Sequence, residues 1–402
     1  MSIRTLKQIK KLSGKRVLVR VGFDVPVKKG KVTEDVRLLA AVPTVQYLLQ
    51  QQAKVILLAH QGRPAGKVVR SLSLEPVAKR FGEMLGLDIK VLKTGNWKLS
   101  EKKWVELVAL THELESGSVV MCDNMRFSPY EQKDTTLFAR ALATLGDIFV
   151  LDGFAVAHRA DASVAGVAKH LPAYAGLLLE KEIEGLTRVT KDVKKPYVAV
   201  IGGAKMETKI PVMKQLLPKV THLLVGGGIV NTYLKAKKYG VGTSLVDADF
   251  QKEALLYGGK RKVILPVDVV VGSKDGKHHR LVQIQKKPHE ICKPGEAIFD
   301  IGPATIRLYA SYIKKAKTLL WNGAMGYFEQ KPYHIGTLSV ARLVASRSKG
   351  KAFGAIGGGE TLQAMDMIKM GEYVDLVSTG GGAMLEFLSG KKLPGIQAVT
   401  KK

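Results

Sequence analysis

The sequence predicts an α/β protein with two doubly wound parallel sheets, each in a Rossmann-like domain, joined by a helical hinge. Short apolar runs rich in β-branched residues alternate with segments of helical period along the whole chain. Continuous apolar strands joined by helices are typical of parallel sheets that are covered on both faces. A chain of 402 residues is also long enough for two such domains.

The predicted elements follow from these runs. In the first half, strands are predicted at residues 16–21, 54–59, 118–122 and 147–151, and helices at 37–50, 74–85 and 135–145. In the second half, strands are predicted at residues 197–201, 222–225, 262–266, 318–321, 351–356 and 374–378. Residues 172–195, which include the sequence LLLEKEI, predict a long helix that bridges the two halves.

Composition indicates a soluble cytoplasmic protein. Apolar residues make up 46% of the chain, and no apolar run is long enough to cross a membrane or to serve as a secretory signal. Cys122 and Cys292 stand alone, which favours a reducing compartment and argues against a structural metal. We therefore expect a cytoplasmic location and no contact with membranes.

The net charge of +28 is the unusual feature of the composition. It could indicate binding to a polyanion, or a lysine-rich surface on a protein whose substrates are anionic. The lysines are spread along the chain, and no basic stretch is interleaved with aromatic residues. Nucleic acid is therefore not the expected partner, although the origin of the charge stays open.

Cations and polar groups follow the predicted strands of the first half. The loops after these strands begin at Gly22, His60, Asp123 and Asp152, and an open parallel sheet binds ligands at this edge. Arginines stand in or near all of these loops, at Arg37, Arg63, Arg126 and Arg159. A guanidinium binds both oxygens of a phosphate or carboxylate, so the pattern predicts an anion site.

Glycines follow the predicted strands of the second half. The loops are at residues 202–205, 226–228, 357–361 and 380–382, and each precedes a helical segment. Glycine lets backbone amides approach phosphate oxygens, and a helix N-terminus adds partial positive charge. Lys205 and Lys209 are four residues apart, so a helix that begins there would place both ammonium groups on one face.

Several enzyme classes are excluded or disfavoured by missing motifs. The chain contains no GxxxxGK[ST], no DFG after the HRAD sequence, no GxSxG and no HExxH, and no GxGxxG opens the first βα unit. A nucleotide-dependent dehydrogenase is therefore disfavoured. An arginine-rich sheet and a glycine-rich sheet indicate phosphoryl transfer between an adenine nucleotide and a small phosphate-bearing acid, in two domains that close to exclude water.

The ordered motifs resemble those of the phosphoglycerate kinase family. They are KRVLVRVGFDVP at 15–26, VILLAHQGRP at 55–64, AHRADAS at 157–163, IGGAKMETKI at 201–210, LPVDVVV at 265–271, WNGAMGYFE at 321–329 and STGGGA at 378–383. The likeness runs from about residue 4 to residue 400. It implies reversible phosphoryl transfer between 1,3-bisphosphoglycerate and MgADP, which gives 3-phosphoglycerate and MgATP in glycolysis and gluconeogenesis.

The resemblance also implies site residues. Those for phosphoglycerate would be Gly22, Phe23, Asp24, Arg37, His60, Gln61, Gly62, Arg63, Arg126 and Arg159. Those for the nucleotide would be Lys209, Gly302, Glu329, Gly358, Gly359, Glu360, Thr361, Gly380, Gly381 and Gly382. Arg37 and Lys205 would stabilise the phosphoryl group in flight, and Glu360 would meet the Mg²⁺ that is bound with ATP or ADP.

The family pattern further implies the domain plan. A phosphoglycerate-binding domain would span residues 1–175, a helical hinge 176–196 and a nucleotide-binding domain 197–390, with the tail 391–402 returning to the first domain. A monomer is expected.

The chain departs from the family pattern at several places. Gly22 replaces an acid, Asp24 replaces an asparagine, Glu360 an aspartate, Ala324 a proline and Asp161 a histidine, while an NDAF sequence reads LDGF at residues 151–154. These departures leave two hypotheses. One is an active kinase with weakened binding of the acid, and the other is a degenerate relative that binds nucleotide or polyanion with little turnover.

Overall fold

The computed structural model describes residues 2–98, 100–133, 136–286 and 288–401. The chain forms two compact units, one of residues 1–183 with 392–402 and the other of residues 184–391. No helix among the described residues is long and apolar enough to span a membrane.

The first unit is built on a six-stranded parallel sheet with the order β5-β6-β4-β1-β7-β8. Its strands are β1 (Arg16–Arg20), β4 (Lys54–Leu58), β5 (Lys90–Leu92), β6 (Val119–Cys122), β7 (Ile148–Leu151) and β8 (Ala173–Ala175), and β2 (Val27–Lys28) and β3 (Lys31–Val32) form a separate hairpin. The helices are α1 (Val36–Gln50), α2 (Glu75–Leu85), α3 (Glu101–Glu113), α4 (Thr136–Ala143) and α5 (Leu177–Thr190). β1 lies at the centre between β4 and β7 and is buried along its whole length.

The second unit contains another six-stranded parallel sheet, with the order β11-β10-β9-β15-β16-β17. Its strands are β9 (Tyr197–Ile201), β10 (His222–Val225), β11 (Val263–Ile264), β15 (Thr318–Asn322), β16 (Phe353–Gly357) and β17 (Leu376–Ser378). A three-stranded antiparallel sheet consists of β12 (Asp268–Gly272), β13 (His279–Gln283) and β14 (Ala297–Ile301). The helices are α6 (Met206–Leu216), α7 (Gly228–Ala236), α8 (Gln251–Gly258), α9 (Pro303–Ile313), α10 (Ile335–Ser348), α11 (Gly359–Ile368) and α12 (Gly382–Leu388).

The predicted fold class is confirmed, since ten predicted strands coincide with strands of the two parallel sheets to within about two residues at each end. The missed strands are short or antiparallel: β2 and β3 have two residues each, β5 and β8 have three each, and β12–β14 form the accessory sheet. Residue 135 of the predicted helix 135–145 lies outside the described residues, and α4 covers much of the remainder.

The predicted bridging helix 172–195 is too long. Its first residues form β8, which pairs in parallel with β7, and α5 begins only at Leu177. Tyr174 favours a strand, and Gly176 then breaks the strand before the helix. The boundary between the two compact units falls within α5.

The C-terminal tail belongs to the first unit. A short helix, α13 (Pro394–Ala398), contacts the loop after β7, and the N–H of Gly395 donates to the carbonyl of Ala157 at 2.8 Å. The N-terminal segment is held as well, because the N–H of Arg4 donates to the carbonyl of Val399 at 2.8 Å. A Cβ on Gly395 would lie 2.9 Å from the Cα of Ala157.

Gly395→Ala should therefore lower the free energy of unfolding of the first unit by about 1–3 kcal/mol, because the added methyl group overpacks a backbone contact. Urea unfolding measures the change. Gly371→Ala is the matched control, since a Cβ there would find its nearest neighbour at 4.0 Å. Equal stability of the two variants would show that the tail is not tightly packed against residue 157.

Candidate active site

The cations predicted in the first unit lie at one edge of its sheet. β1, β4, β6 and β7 are parallel neighbours, so the loops that follow them meet at their carboxyl ends. Direct contacts join these loops: Arg126 Nη1 donates to the carbonyl of Gly62 at 2.7 Å, and Arg37 Nη1 donates to the carbonyl of Asp24 at 2.7 Å. Arg63 is exposed in the same group of loops.

Asp24 is held firmly in this cationic site. The N–H of Gly62 donates to Asp24 Oδ1 at 2.9 Å, and Nε2 of His60 lies 3.5 Å from Asp24 Oδ2. Burial alone would raise the pKa of Asp24, but hydrogen bonds from His60 and Gly62 and the charge of Arg37 outweigh it and hold that pKa well below its usual range. Gln61 binds the same loop through the backbone of Val25.

Arg126 and Arg159 carry donors that nothing in the described part of the protein satisfies. Arg126 is 4% exposed, and its Nε and Nη2 are buried without a hydrogen-bond partner there. Nε of Arg159 is also buried without a hydrogen-bond partner there. Burial and then the neighbouring charge of Arg159 lower the pKa of Arg126. Buried donors of this kind cost stability unless an anion binds them, so they indicate an anion site.

Sequence reasoning missed Arg20, which lies inside an apolar strand. Its side chain is fully buried; Nε donates to Oγ of Ser163 at 2.8 Å, and Nη2 lies 2.8 Å from Nδ1 of His60. Ser163 in turn donates through Oγ to Glu131, which is fully buried. The available signal was a charged residue at the end of a buried run, because such a residue needs buried partners.

The second unit has two adjoining clefts at the carboxyl edge of its own sheet. The larger encloses about 520 Å³ and is largely apolar, with Leu245, Val269, Met325, Phe328 and the exposed Glu329 among its lining. The smaller encloses about 410 Å³ and is lined by Lys205, Lys209, Asn322 and glycines from four loops. Gly203, Ala204 and Glu360 line both clefts, so the two are continuous. An apolar chamber beside a chamber of amides and lysines suits a nucleotide base and its phosphates.

Three helices begin at the smaller cleft or beside it, each after a glycine in the left-handed region. These are Gly227, Gly358 and Gly381, with φ of 64°, 99° and 51°, before α7, α11 and α12. Other residue types would be strained at these angles. The predicted residues Gly358, Gly359, Gly381 and Gly382 line the smaller cleft. Gly380 and Thr361 are buried beside it, and Thr361 Oγ1 accepts a hydrogen bond from the N–H of Gly323 at 2.7 Å.

Gly302 stands at the start of α9, directly after Asp300 and Ile301 of the larger cleft. A Cβ at this position would meet the carboxylate of Asp268 at 2.3 Å, which explains why a glycine is required. Its amide donates to the carbonyl of Asp268 at 2.9 Å.

The two lysines share the smaller cleft in different ways. Lys209 is on α6 and buried, and its Nζ donates to Oδ1 of Asn322. Burial lowers the pKa of Lys209 to about 8, against which the nearby Glu360 acts. The prediction that Lys205 and Lys209 share one face of a helix is wrong. Lys205 lies just before α6 in an extended conformation, with φ of −107°, and its side chain is exposed.

Comparisons with known proteins agree over nearly the whole chain. The family model described as Phosphoglycerate kinase matches residues 6–391. The chain is 43% identical over 405 residues to the phosphoglycerate kinase of Moorella thermoacetica, with 99% of each chain covered. It is 43% identical over 409 residues to that of Francisella tularensis strain WY96-3418, with 100% of this chain and 99% of the relative covered.

The chain belongs to the phosphoglycerate kinase family. Solved structures agree: the phosphoglycerate kinase of Coxiella burnetii superposes with a TM-score of 0.85 at 38% identity, covering 99% of each chain. That of Pyrococcus horikoshii superposes with a TM-score of 0.84 at 29% identity, covering 99% of this chain and 98% of the other.

The activity is that of a phosphoglycerate kinase, a glycolytic kinase that transfers phosphate to and from a carboxyl group. The comparisons give no support to the degenerate relative without turnover.

Four of the departures from the phosphoglycerate kinase pattern form two touching pairs. The N–H of Ala324 donates to Oε2 of Glu360 at 3.2 Å, a bond that a proline at 324 would lack. Gly22 and Gly153 also meet, since a Cβ on Gly153 would lie 2.8 Å from the backbone N of Gly22. Asp161 is buried, and its Oδ2 has no partner in the described part of the chain.

Arg126→Met should raise KM for 3-phosphoglycerate at least about tenfold while leaving the free energy of unfolding within about 1 kcal/mol, because the variant removes a buried cation with unpartnered donors. Steady-state kinetics and urea unfolding measure the two effects. Arg70→Met, at an exposed arginine, is the control. If the free energy of unfolding fell by several kcal/mol while KM stayed unchanged, Arg126 would stabilise the fold rather than bind the substrate.

The affinity for MgADP should fall as pH rises through about 8, because Lys209 then loses its charge. Calorimetry between pH 6.5 and 9.5 measures the change, which should be severalfold in Kd. Lys209→Gln should bind more weakly and show a flatter profile. Identical pH profiles for the two proteins would contradict the assignment of Lys209 to the phosphates.

Proposed function

We propose that the first unit binds the acid substrate, 3-phosphoglycerate or 1,3-bisphosphoglycerate, and that the second binds ADP or ATP. The observation that carries the proposal is the contrast between the two sites. One presents arginines whose buried donors are unpartnered, and the other presents glycine amides and lysines beside an apolar chamber. Rigid guanidinium forks suit a compact acid with several anionic groups, and backbone amides suit a polyphosphate chain.

The acid is held by the residues at the edge of the first sheet. Arg126 and Arg159 offer their unpartnered N–H groups to its phosphate, and Arg63 and Arg37 supply further positive charge. Gly62 takes part through its backbone, because its amide fixes Asp24 and its carbonyl fixes Arg126. Phe23 is fully buried and packs edge-on against Phe81 at 4.8 Å between ring centroids, which holds the loop in place.

The nucleotide is held by the two clefts of the second unit. Its base enters the apolar chamber, Glu329 at the rim accepts hydrogen bonds from the ribose hydroxyls, and the phosphates meet Lys209 and the amides at the starts of α11 and α12. Gly302 precedes α9 next to the base chamber, and Gly380 is buried beside the phosphate cleft.

The residues present also fit a nucleotide-bound Mg²⁺. Glu360 is exposed at the start of α11, beside the cleft assigned to the phosphates, and carboxylate oxygen is a ligand that Mg²⁺ prefers. The N–H of Ala324 restrains its Oε2, which limits the freedom of the longer side chain. The bound ion would neutralise phosphate charge during transfer.

The chemistry needs charge stabilisation rather than proton transfer. A terminal oxygen of the ADP β-phosphate attacks the phosphorus of the acyl phosphate, the bond from that phosphorus to the carboxyl oxygen breaks, and the carboxylate leaves with the electron pair. The attacking phosphate and the leaving carboxylate are both ionised at neutral pH, so no general base is required. Arg37 and Lys205 are assigned to the transferring phosphoryl group, where fixed cations act most strongly.

We further propose a cytoplasmic monomer with the domain limits predicted above. The isolated cysteines support a reducing compartment, and Cys122 is buried. Size-exclusion chromatography with light scattering tests the monomer, and a mass of twice 43.7 kDa would reject it.

A coupled assay of the purified chain with 3-phosphoglycerate and MgATP tests the proposal directly. Arg37→Ala and Lys205→Ala should each reduce kcat by about 10²–10³, because each removes a cation from the transferring group, while the Kd for MgADP changes little. Lys214→Ala, at an exposed lysine on the same helix as Lys209, should remain fully active. Normal turnover in both site variants would refute the assignment.

A further inference from the structure

The parallel strands of the second unit begin in strongly basic segments. Their amino ends share the edge of the sheet that is opposite to the two clefts, so the segments before the strands are neighbours in space. Lysine or arginine precedes every strand of this sheet except the edge strand β17. The residues, which we call the basic edge, are Lys260, Arg261 and Lys262 before β11, Lys219 before β10, Lys194 and Lys195 before β9, Lys314, Lys315 and Lys317 before β15, and Lys349 and Lys351 before β16.

Backbone hydrogen bonds hold these segments against one another. The N–H of Lys317 donates to the carbonyl of Pro196 at 2.8 Å, which joins the segments before β15 and β9. The N–H of Phe353 donates to the carbonyl of Lys317 at 2.9 Å, and that of Leu223 donates to the carbonyl of Lys262 at 2.8 Å. Cations that are far apart in the sequence therefore form one continuous row.

The charges of the basic edge are not neutralised by neighbouring acids. All of its side chains are exposed except that of Lys219, which is half-buried. Within the part of the chain that the structure describes, none of them forms an ion pair. The segments contain no aspartate or glutamate; Asp192 lies just before Lys194, and Asp375 directly precedes β17. The row therefore presents a nearly uniform positive charge to solvent.

The first sheet does not share this feature. At the amino ends of its strands, Asp88 precedes β5 and Glu115 precedes β6. Asp147 precedes β7 and forms an ion pair with Arg16 of β1 at 2.7 Å. Acids and cations thus compensate each other at that edge, although the architecture is the same. The basic edge is a property of the second unit and not a consequence of the fold class.

The spacing of the cations favours a polyanion over small separate anions. Neighbouring strands are about 4.8 Å apart, which is less than the Debye length of about 8 Å at physiological ionic strength, so the cations repel one another with little screening. The row crosses five neighbouring strands, about 19 Å, and one strand of a nucleic acid duplex presents roughly six phosphates over that length. A bound duplex would relieve the repulsion and release its own condensed counterions.

The composition of the same segments selects among polyanions. Residues 194–196, 219–221, 259–262, 314–317 and 349–352 contain no phenylalanine, tyrosine or tryptophan on which bases could stack. They also contain no leucine, isoleucine or methionine, whereas a surface that inserts into a membrane needs an apolar face. Contacts from lysine and arginine to phosphates carry no sequence information. The chemistry therefore fits a phosphodiester backbone.

We propose that the basic edge binds the backbone of double-stranded nucleic acid without regard to base sequence. The lysines disfavour such a partner in the linear sequence because they are spread along it, but parallel pairing gathers them at one edge. The inference is independent of the kinase reaction, since none of these residues lines either cleft. It also gives part of the net charge of +28 a place and a function.

Fluorescence anisotropy of a labelled RNA duplex, with the full chain as titrant, tests the proposal. For a mixed-sequence duplex of about 20 base pairs, the affinity should fall at least about a hundredfold between about 50 and 200 mM salt, because several phosphate contacts release counterions. A duplex of another sequence should bind equally. Excess MgATP at constant ionic strength should leave binding unchanged, because the duplex occupies neither cleft.

A variant of the basic edge removes one exposed lysine from each of four segments. The substitutions are Lys195→Gln, Lys260→Gln, Lys315→Gln and Lys351→Gln. Kd for the duplex should rise at least about tenfold at about 50 mM salt, and the slope of log K against log salt should become shallower by about 2–4. Turnover in the coupled assay should be unchanged, which also shows that the variant is folded.

The matched control removes the same charge from exposed lysines of the first unit. Its substitutions are Lys10→Gln, Lys79→Gln, Lys90→Gln and Lys102→Gln. Its Kd for the duplex should stay within about threefold of that of the unmodified chain, because only the general field of the protein is weakened. Equal losses of affinity in the two variants would show that net charge alone attracts the duplex and would overturn the inference.

Three further results would reject the proposal. The first is an unmodified chain that does not bind the duplex at low salt. The second is displacement of the duplex by MgATP, which would place it in the nucleotide clefts. The third is tighter binding to phosphatidylserine vesicles than to the duplex, lost in the variant of the basic edge, which would assign this surface to a membrane. Vesicles of phosphatidylcholine are the control for that measurement.

Discussion

Parallel pairing of the strands brings their carboxyl ends to the same edge of each sheet, and both sites depend on that constraint. In the first unit, β1 pairs with β4 and β7, so residues far apart in sequence form one cluster of cations. In the second unit, β9 lies between β10 and β15, and the loops after these strands form the walls of the clefts. A single slip of register would move side chains to the opposite face and separate these groups.

Both sites bury cations without full compensation by the protein. Arg126 keeps two unpartnered nitrogen atoms, and Lys209 has a pKa lowered to about 8. Burial removes these cations from water, which costs free energy unless another charged or polar group replaces the water. A bound anion supplies that replacement, because it pairs with the buried cations. The buried cations therefore lower the stability of the fold but raise its affinity for phosphate, a combination that is common at functional sites.

The departures from the family pattern are physically linked to their neighbours. The longer Glu360 is restrained by the amide of Ala324, which a proline would not provide. The missing side chain of Gly153 allows the close approach of the backbone at Gly22. The charge of Asp24 is tolerated because Gly62 and His60 stabilise it. These contacts are consistent with an active enzyme whose sites have adjusted locally.

The sequence by itself determined the alternation of buried strands and helices, the arginines of one half and the glycines of the other, because periodicity and residue type are local properties. It could not show that residues 173–175 pair as a strand, since a three-residue edge strand has too little pattern. Only the tertiary structure decided that Lys209 is buried while Lys205 is exposed, and that Arg20 holds His60 in one tautomer. Burial and hydrogen-bond partners depend on contacts between residues distant in sequence, such as Arg20 and Ser163, and no local pattern specifies them.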